Sequence, residues 1–253
     1  MPYCCSSSFS GKKFIIHLKY NYLYREVSTS LDMTMDMGKR KEKIQAPMGE
    51  TKVLLHTCCA PCSSAIIEAM MQNGITPVIF YCNPNIYPQE EYEIRKNECT
   101  RYAESLGLEI VDDDYNHETW LESVRGMENE PERGGRCLKC FKIRLLRSAG
   151  YAAEKGIKVI TTTLASSRWK SLDQINEAGR WACSQINGSF VDSRPEVDKI
   201  PPDDRVIWWD QNWRKGGLQE RRLQIIREYD FYNQQYCGCE FSMRKDESLN
   251  KSF

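Results

Sequence analysis

Residues 53–73 constrain the fold more tightly than any other stretch. An apolar run, Val53-Leu54-Leu55, leads into His56-Thr57-Cys58-Cys59-Ala60-Pro61-Cys62-Ser63, and Ala65-Ile66-Ile67-Glu68-Ala69-Met70-Met71 then reads as a helix. Three cysteines therefore occupy a strand-to-helix turn. In an open α/β sheet such a turn lies at the carboxyl end of a strand, where ligands bind. The helix behind it presents free N–H groups and the positive end of its dipole. Both features lower a thiol's pKa and favour the thiolate, the form that binds metal or does redox chemistry.

The alternation continues downstream. Val53–Thr57 is expected as a first strand, Ser63–Asn73 as a helix and Pro77–Cys82 as a second strand, ended by the turn residues Asn83-Pro84-Asn85. Glu90–Leu106 reads as a helix closed by Gly107, Leu108–Val111 as a short strand running into Asp112-Asp113-Asp114, and His117–Met127 as helical. Gly134-Gly135 break the chain before a strong helix from Cys137 to about Lys155. The β-branched run Lys158–Leu164 follows as a strand, and Leu172–Asn187 as a further helix. Strands separated by helices predict an α/β fold, a doubly wound and mostly parallel sheet. Residues 188–207 read as an inserted polar loop. Leu218–Tyr229 has a helical period dense in arginine and begins a C-terminal segment that returns to the site.

The domain reading is an N-terminal extension over 1–50, a catalytic domain over 51–242 and a polar tail over 243–253. The extension is rich in Ser, Lys, Tyr and Met without a sustained period; its first acidic residue is Glu26. A disordered leader ranks above a transit peptide there, and Cys4-Cys5 is read as incidental. The chain has no apolar run long enough to cross a bilayer and no secretory apolar region behind its start. A cytoplasmic protein without a membrane partner is expected. With 35 basic and 35 acidic residues there is no global field to attract a polyanion, so such a site has to come from local clustering.

Nine of the twelve cysteines fall in close sets: Cys4-Cys5, Cys58-Cys59 with Cys62, Cys137-x-x-Cys140 and Cys237-Gly-Cys239. A secreted disulfide scaffold would be short and poor in core, and this chain is neither, so the sets point to metal or redox chemistry. Cys137 and Cys140, at i and i+3, share a helix face that continues through Arg144 and Arg147. The apolar stripe Leu138, Phe141, Leu145, Ala149, Ala152 is rotated from it by about 100°. The helix therefore packs one side into the core and turns a Cys-Cys-Arg-Arg face to a cavity. Cys58, Cys59, Cys137 and Cys140 supply four thiolates, which suits an iron–sulfur cluster or zinc. Two rivals stay open. Cys59-Ala60-Pro61-Cys62 has the spacing of a thioredoxin-like thiol–disulfide oxidoreductase, although Cys58 and the second pair are surplus to that chemistry. A zinc-stapled RNA-binding module would use the same ligands structurally.

The chain resembles the epoxyqueuosine reductases of the QueH type over about residues 52–242. The resemblance is carried by His56–Cys62, by Tyr81-Cys82-Asn83-Pro84-Asn85-Ile86-Tyr87-Pro88 with Glu91-Tyr92 and Arg95, and by Glu128–Glu132. It continues through Arg136-Cys137-Leu138-Lys139-Cys140-Phe141 with Arg144-Leu145, Thr161–Leu164 with Ser167, and Tyr232 with Gln235–Ser242. It implies an oxidoreductase that deoxygenates epoxyqueuosine to queuosine at the tRNA wobble position, the last step of queuosine biosynthesis. It further implies a sheet of HUP or Rossmann-like type, a 4Fe–4S cluster on Cys58, Cys59, Cys137 and Cys140, and no cobalamin. Cys237 and Cys239 match the family's C-terminal pair, a redox-active disulfide or a metal-associated pair, and Cys62 is a candidate for a second iron. The implied partners are tRNA carrying epoxyqueuosine and a low-potential electron donor that no motif identifies.

Tyr236, Tyr87, His56 and Glu91 are the candidate proton donors. Arg144, Arg147, Arg168, Lys170, Arg214, Lys215, Arg221 and Arg222 are the candidates for phosphate contact, with Trp169 and Trp213 as stacking partners or, alternatively, core. Asp112–Asp114 read as a solvated acidic turn before a metal site.

Overall fold

The computed structural model of the chain describes residues 44–113, 115–192 and 205–243. Its centre is a five-stranded sheet: β1 (Lys52–Thr57), β2 (Thr76–Tyr81), β3 (Ile110–Asp112), β4 (Val159–Thr162) and β5 (Ile207–Trp208). The spatial order is β3-β2-β1-β4-β5, and every pairing is parallel. β1 lies in the middle, so helices cover both of its faces and Val53, Leu54 and Leu55 are fully buried. A central parallel strand reads as a continuous apolar run for that reason, and each such side chain contributes about 1.5–3 kcal/mol of burial. The expected α/β fold is what forms.

The helices are α1 (Ala60–Gln72), α2 (Gln89–Ser105), α3 (His117–Ser123), α4 (Gly135–Glu154), α5 (Leu172–Asp192) and α6 (Leu218–Glu228). Pro61 stands in the first turn of α1, where its missing N–H costs nothing. Glu90 and Glu91 occupy the first turn of α2, on the favourable side of its dipole. Asn116 caps α3 by accepting from the Thr119 N–H. α4 has no side-chain cap of its own. Glu130 reaches in from the preceding turn and accepts from the Arg136 N–H at 2.7 Å.

Several boundaries differ from expectation: α1 begins at Ala60 and not at Ser63, α3 stops at Ser123 and not at Met127, and β4 stops at Thr162, where a 3-10 turn takes over. The final turns of α5 run to Asp192, past Gly188, and the stretch read as an inserted loop ends in a strand, since β5 pairs with β4 through Val159↔Ile207 and Ile160↔Trp208. A two-residue strand is too short to give a period, and only its ladder partner defines it. The core of the 188–207 reading, with Cys4-Cys5, Asp114 and most of the extension and tail, lies outside the described residues. Residues 44–50 do pack: Ala46 is buried, and the Ile44 N–H donates to Asn73 Oδ1.

After α6 the chain recrosses the carboxyl edge of the sheet. Tyr232 donates its hydroxyl to Glu91, Arg95 donates to the carbonyls of Tyr236 and Cys237, and Tyr87 N–H donates to the Gly238 carbonyl. Gly238 sits at φ +108°, and a Cβ there would come within 2.8 Å of Ile86 and 3.1 Å of the Arg95 guanidinium. Only glycine lets the Cys237–Cys239 turn lie this close to the body. Beyond it, His117 bonds Glu240 at 3.0 Å and Phe241 stacks on Trp120, holding the last described residues in place.

Candidate metal and substrate cavity

In a 3-2-1-4-5 order the connections reverse direction between β1 and β4, and a crevice opens at the carboxyl ends of those two strands. Two sequence elements meet there: the cysteine turn after β1 and the 3-10 turn Thr163–Ser166 after β4. A cavity of about 810 Å³ occupies the crevice. Cys58, Cys62, Cys137, Cys237 and Cys239 all line it.

Cys58, Cys59 and Cys62 form a triad whose sulfurs lie within 4.8 Å of one another. The Cys58 and Cys59 sulfurs are 3.9 Å apart, close to the edge of a tetrahedron with arms of about 2.3 Å, a typical metal–thiolate length. The triad can therefore hold a soft metal, and its donor set, three sulfurs without a carboxylate, fits thiophilic iron or zinc. Gln234 closes the site from the returning C-terminal segment. Its amide donates to Cys59 Sγ at 3.0 Å, while its Oε1 is buried without a hydrogen-bond partner. Cys62, whose spacing to Cys59 resembles a thioredoxin-like motif, belongs to the triad. Among the described residues no cysteine is in a disulfide.

The thiols share charge unequally. Hydrogen bonds from Cys59 and Cys62 hold Cys58 well below the ordinary thiol range, and burial opposes them less strongly. Cys59 is pushed well up and Cys62 up to about 12, both chiefly by the hydrogen bond to Cys58. Burial likewise pushes up Cys137, Cys140 and Cys239, the last to about 12. For Cys237 burial also pushes upward, but Lys170 Nζ, 2.9 Å from its sulfur, wins and lowers it. Lys170 is expected at a phosphate; its ammonium instead donates to Cys237 Sγ.

Arginines wall the cavity, and they are tied to carbonyls. Arg144, fully buried, donates to the Cys82 carbonyl and to Asn83 Oδ1. Arg136 donates to the carbonyls of Met127 and Glu128. Arg214 reaches the Lys170 carbonyl, Arg222 the Pro61 carbonyl and Arg133 those of Arg168 and Trp169. Of the lining residues only Glu132 is acidic. Among the described residues Arg95 is the one lining cation held by a carboxylate, Glu91, at 2.6 Å.

Other candidates stand elsewhere. Arg147 is exposed and paired with Asp113, outside the cavity. Arg221 pairs with Glu68 and Glu228, and Lys215 is exposed away from the lining. Trp213 is fully buried, edge-on to Trp209, with its Nε1–H donating to Thr161; it is core and cannot stack on a ligand. His56 is also fully buried. The Cys82 carbonyl can only accept, so Nε2 carries the proton and Nδ1 accepts from Thr162. Burial, then Arg144, lowers His56 to about 3, which keeps the ring neutral and removes it as a proton donor. Glu91 is locked between Arg95 and Tyr232, and Tyr87 lies outside the lining. Tyr236 does line the cavity, with its hydroxyl donated to the Tyr87 carbonyl. Asp112 accepts from Tyr92 and Asp113 is held by Arg147 and Cys82, so the acidic turn is engaged in the protein's own contacts.

Sequence reasoning did not single out Gln234 or Arg133. Neither lies in a spaced motif, and each acts through a contact more than thirty residues away in the chain.

The fold and the site together define a class: a parallel α/β protein with a thiol-lined, cation-walled cavity at the switch point of its sheet. Known proteins sharpen this. The family model for epoxyqueuosine reductase QueH matches residues 53–245, and the chain belongs to that family. Relatives named epoxyqueuosine reductase QueH include one from Histophilus somni (strain 129Pt), 43% identical over 204 residues, covering 81% of this chain and 77% of the relative. Another, from Acinetobacter baylyi, is 44% identical over 208 residues, covering 82% and 88%. A third, from Haemophilus influenzae, is 43% identical over 204 residues, covering 81% and 76%.

Proposed function

We propose that this protein reduces epoxyqueuosine to queuosine in tRNA and that a 4Fe–4S cluster serves the reaction. The observation that carries the reading is the cavity: five cysteines and a carbonyl-tied arginine wall converge within the span matched by the family. Deoxygenating an epoxide takes two electrons and two protons. Both carbon–oxygen bonds break, a carbon–carbon double bond forms, and the oxygen leaves as water. A bound iron–sulfur cluster supplies electrons one at a time, with a potential set by burial and by hydrogen bonds to its sulfurs.

The chain's own residues have separable roles in this proposal. Cys58, Cys59, Cys137 and Cys140 are assigned as cluster ligands. Cys58 and Cys137 line the cavity, and Cys137 and Cys140 share the opening turns of α4. Cys62 stands in the same triad as Cys58 and Cys59, which favours a metal role for it, in line with a second iron. Cys237 and Cys239 are assigned as the redox-active pair, with Lys170 stabilising the Cys237 thiolate. Gln234 orients Cys59, and Arg144 supplies a fixed positive charge that favours electron-rich sulfur. Tyr236 is assigned as proton donor. It is the only one of the four sequence candidates in the lining, and Tyr87 holds its hydroxyl in place. Arg168 and Arg214, with Arg133 and Arg222 in the same lining, are assigned to the RNA backbone.

The test is mass spectrometry of tRNA nucleosides from a strain lacking this gene. Epoxyqueuosine should accumulate and queuosine should disappear, and the wild-type gene should reverse both. Unchanged queuosine in the deletion strain would reject the reading.

A further inference from the structure

We propose that Trp169, backed by Arg168, is a stacking platform for an unpaired base of the RNA substrate, beside the cavity that takes the modified nucleoside. The inference rests on the tRNA reading above and adds the place where the anticodon loop is gripped.

Trp169 is 65% exposed, more than any other large apolar side chain among the described residues. Tryptophan has the most apolar surface to hide, so one held out in water on a fixed backbone marks a contact surface. The backbone is indeed fixed. Arg133 donates from Nη2 to the Arg168 carbonyl at 2.9 Å and from Nε to the Trp169 carbonyl at 3.0 Å, and Trp169 N–H donates to Ser167 Oγ at 3.3 Å. Arg133 itself has φ 69°, a conformation that a non-glycine residue holds only when its surroundings enforce it. The bracing therefore persists against a backbone cost, around a residue that stays mostly exposed.

The Arg168 guanidinium lies 4.9 Å from the centre of the indole, and among the described residues no other ring packs on Trp169. A planar ring with a cation on it and most of its surface free suits a nucleobase, which stacks with little regard to sequence. The flanking charges suit the phosphates on either side of such a base. Arg133, Arg168, Arg214 and Arg222 line the same cavity, and among the described residues none of them is paired with a carboxylate. A membrane would need a wider apolar patch than Trp169 and its neighbour in the lining, Leu223, provide. Single-stranded RNA satisfies both the ring and the charges.

The test measures binding of a fluorescent synthetic anticodon stem-loop with unmodified guanosine at the wobble position to the anaerobically purified full-length holoenzyme. Variants are compared at equal iron content. Trp169→Ala should weaken binding roughly tenfold or more. Trp169→Phe should retain most of the affinity. Trp169→Leu, which keeps bulk without a π face and guards against a misfolded alanine variant, should behave like Trp169→Ala. With tRNA substrate the loss should fall on KM and leave kcat nearly unchanged, because the platform holds the loop without touching the reacting atoms. Equal affinity for all four proteins would overturn the proposal, as would equal weakening by Phe and Leu or an equal loss of affinity for a fully paired RNA duplex. The stem-loop carries no epoxide, so this result is independent of whether epoxyqueuosine accumulates in the deletion strain.

Discussion

The cations of this protein behave differently in two regions. On the outer faces they meet carboxylates: Lys142 pairs with Glu177, Arg147 with Asp113, Arg180 with Asp210 and Arg221 with Glu68. Around the cavity Arg133, Arg136, Arg144, Arg214 and Arg222 meet backbone carbonyls instead. Both arrangements hold the cation in place, although Arg214 Nε stays buried without a hydrogen-bond partner. Only the first cancels its charge. A chain with 35 basic and 35 acidic residues thus keeps a local positive field without a global one, directed into a crevice where low-dielectric walls focus it. Net charge is a poor guide to a polyanion partner when the compensation is this uneven.

The largest expected effect divides the thiols in the same way. Cys58→Ser should lower both the iron content of anaerobic protein and epoxyqueuosine turnover by at least about 100-fold, a loss at the upper end for disturbed metal sites. Cys183→Ala, at a buried thiol outside the cavity lining, should change neither. Full iron in Cys58→Ser would remove the triad from the metal site.

Arg144 probes the wall. Arg144→Met should cost about 2–3 kcal/mol of stability in urea unfolding, because Asn83 Oδ1 loses its charged donor while staying buried and the Cys82 carbonyl is left with His56 alone. A change below about 0.5 kcal/mol would mean that water replaces the guanidinium and the wall is open to solvent.

The smallest effect tests the charge comparison itself. Arg222→Gln should lower the slope of log affinity against log salt for an anticodon stem-loop by about 0.7, one phosphate's worth on a single strand. Lys142→Gln should leave that slope unchanged and cost no more than about 1 kcal/mol of stability, as an outer-face pair does. Equal slopes for the two variants would break the distinction between the regions.

Much of the architecture was legible in the chain. Val53–Leu55 followed by the cysteine turn and α1 placed a buried central strand, because continuous apolar residues bounded by a turn and a helix have few other uses in a fold of this size. Cys137 and Cys140 were legible as an i, i+3 pair, yet only Cys137 lines the cavity; Cys140 packs in a buried cluster with Trp120, Val124 and Cys239. β5 was not. Its two residues carry no period, and β4 alone makes them a strand. Arg144 and Arg147 were read as one face toward one cavity, yet only Arg144 lines it; Arg147 turns to Asp113, a contact set by where β3 ends.

The sequence by itself determined the alternation of strand and helix, the thiol-bearing turn at the head of α1 and the family to which these motifs belong. All three follow from short-range spacing, which the chain carries in its order of residues. The tertiary structure alone decided which cations keep their charge, that Trp213 is core while Trp169 faces water, and that Cys62 joins the Cys58–Cys59 triad with Gln234 against it. Each of those depends on partners brought from distant segments to the switch point of the sheet. A side chain's charge and exposure are properties of its neighbours in space.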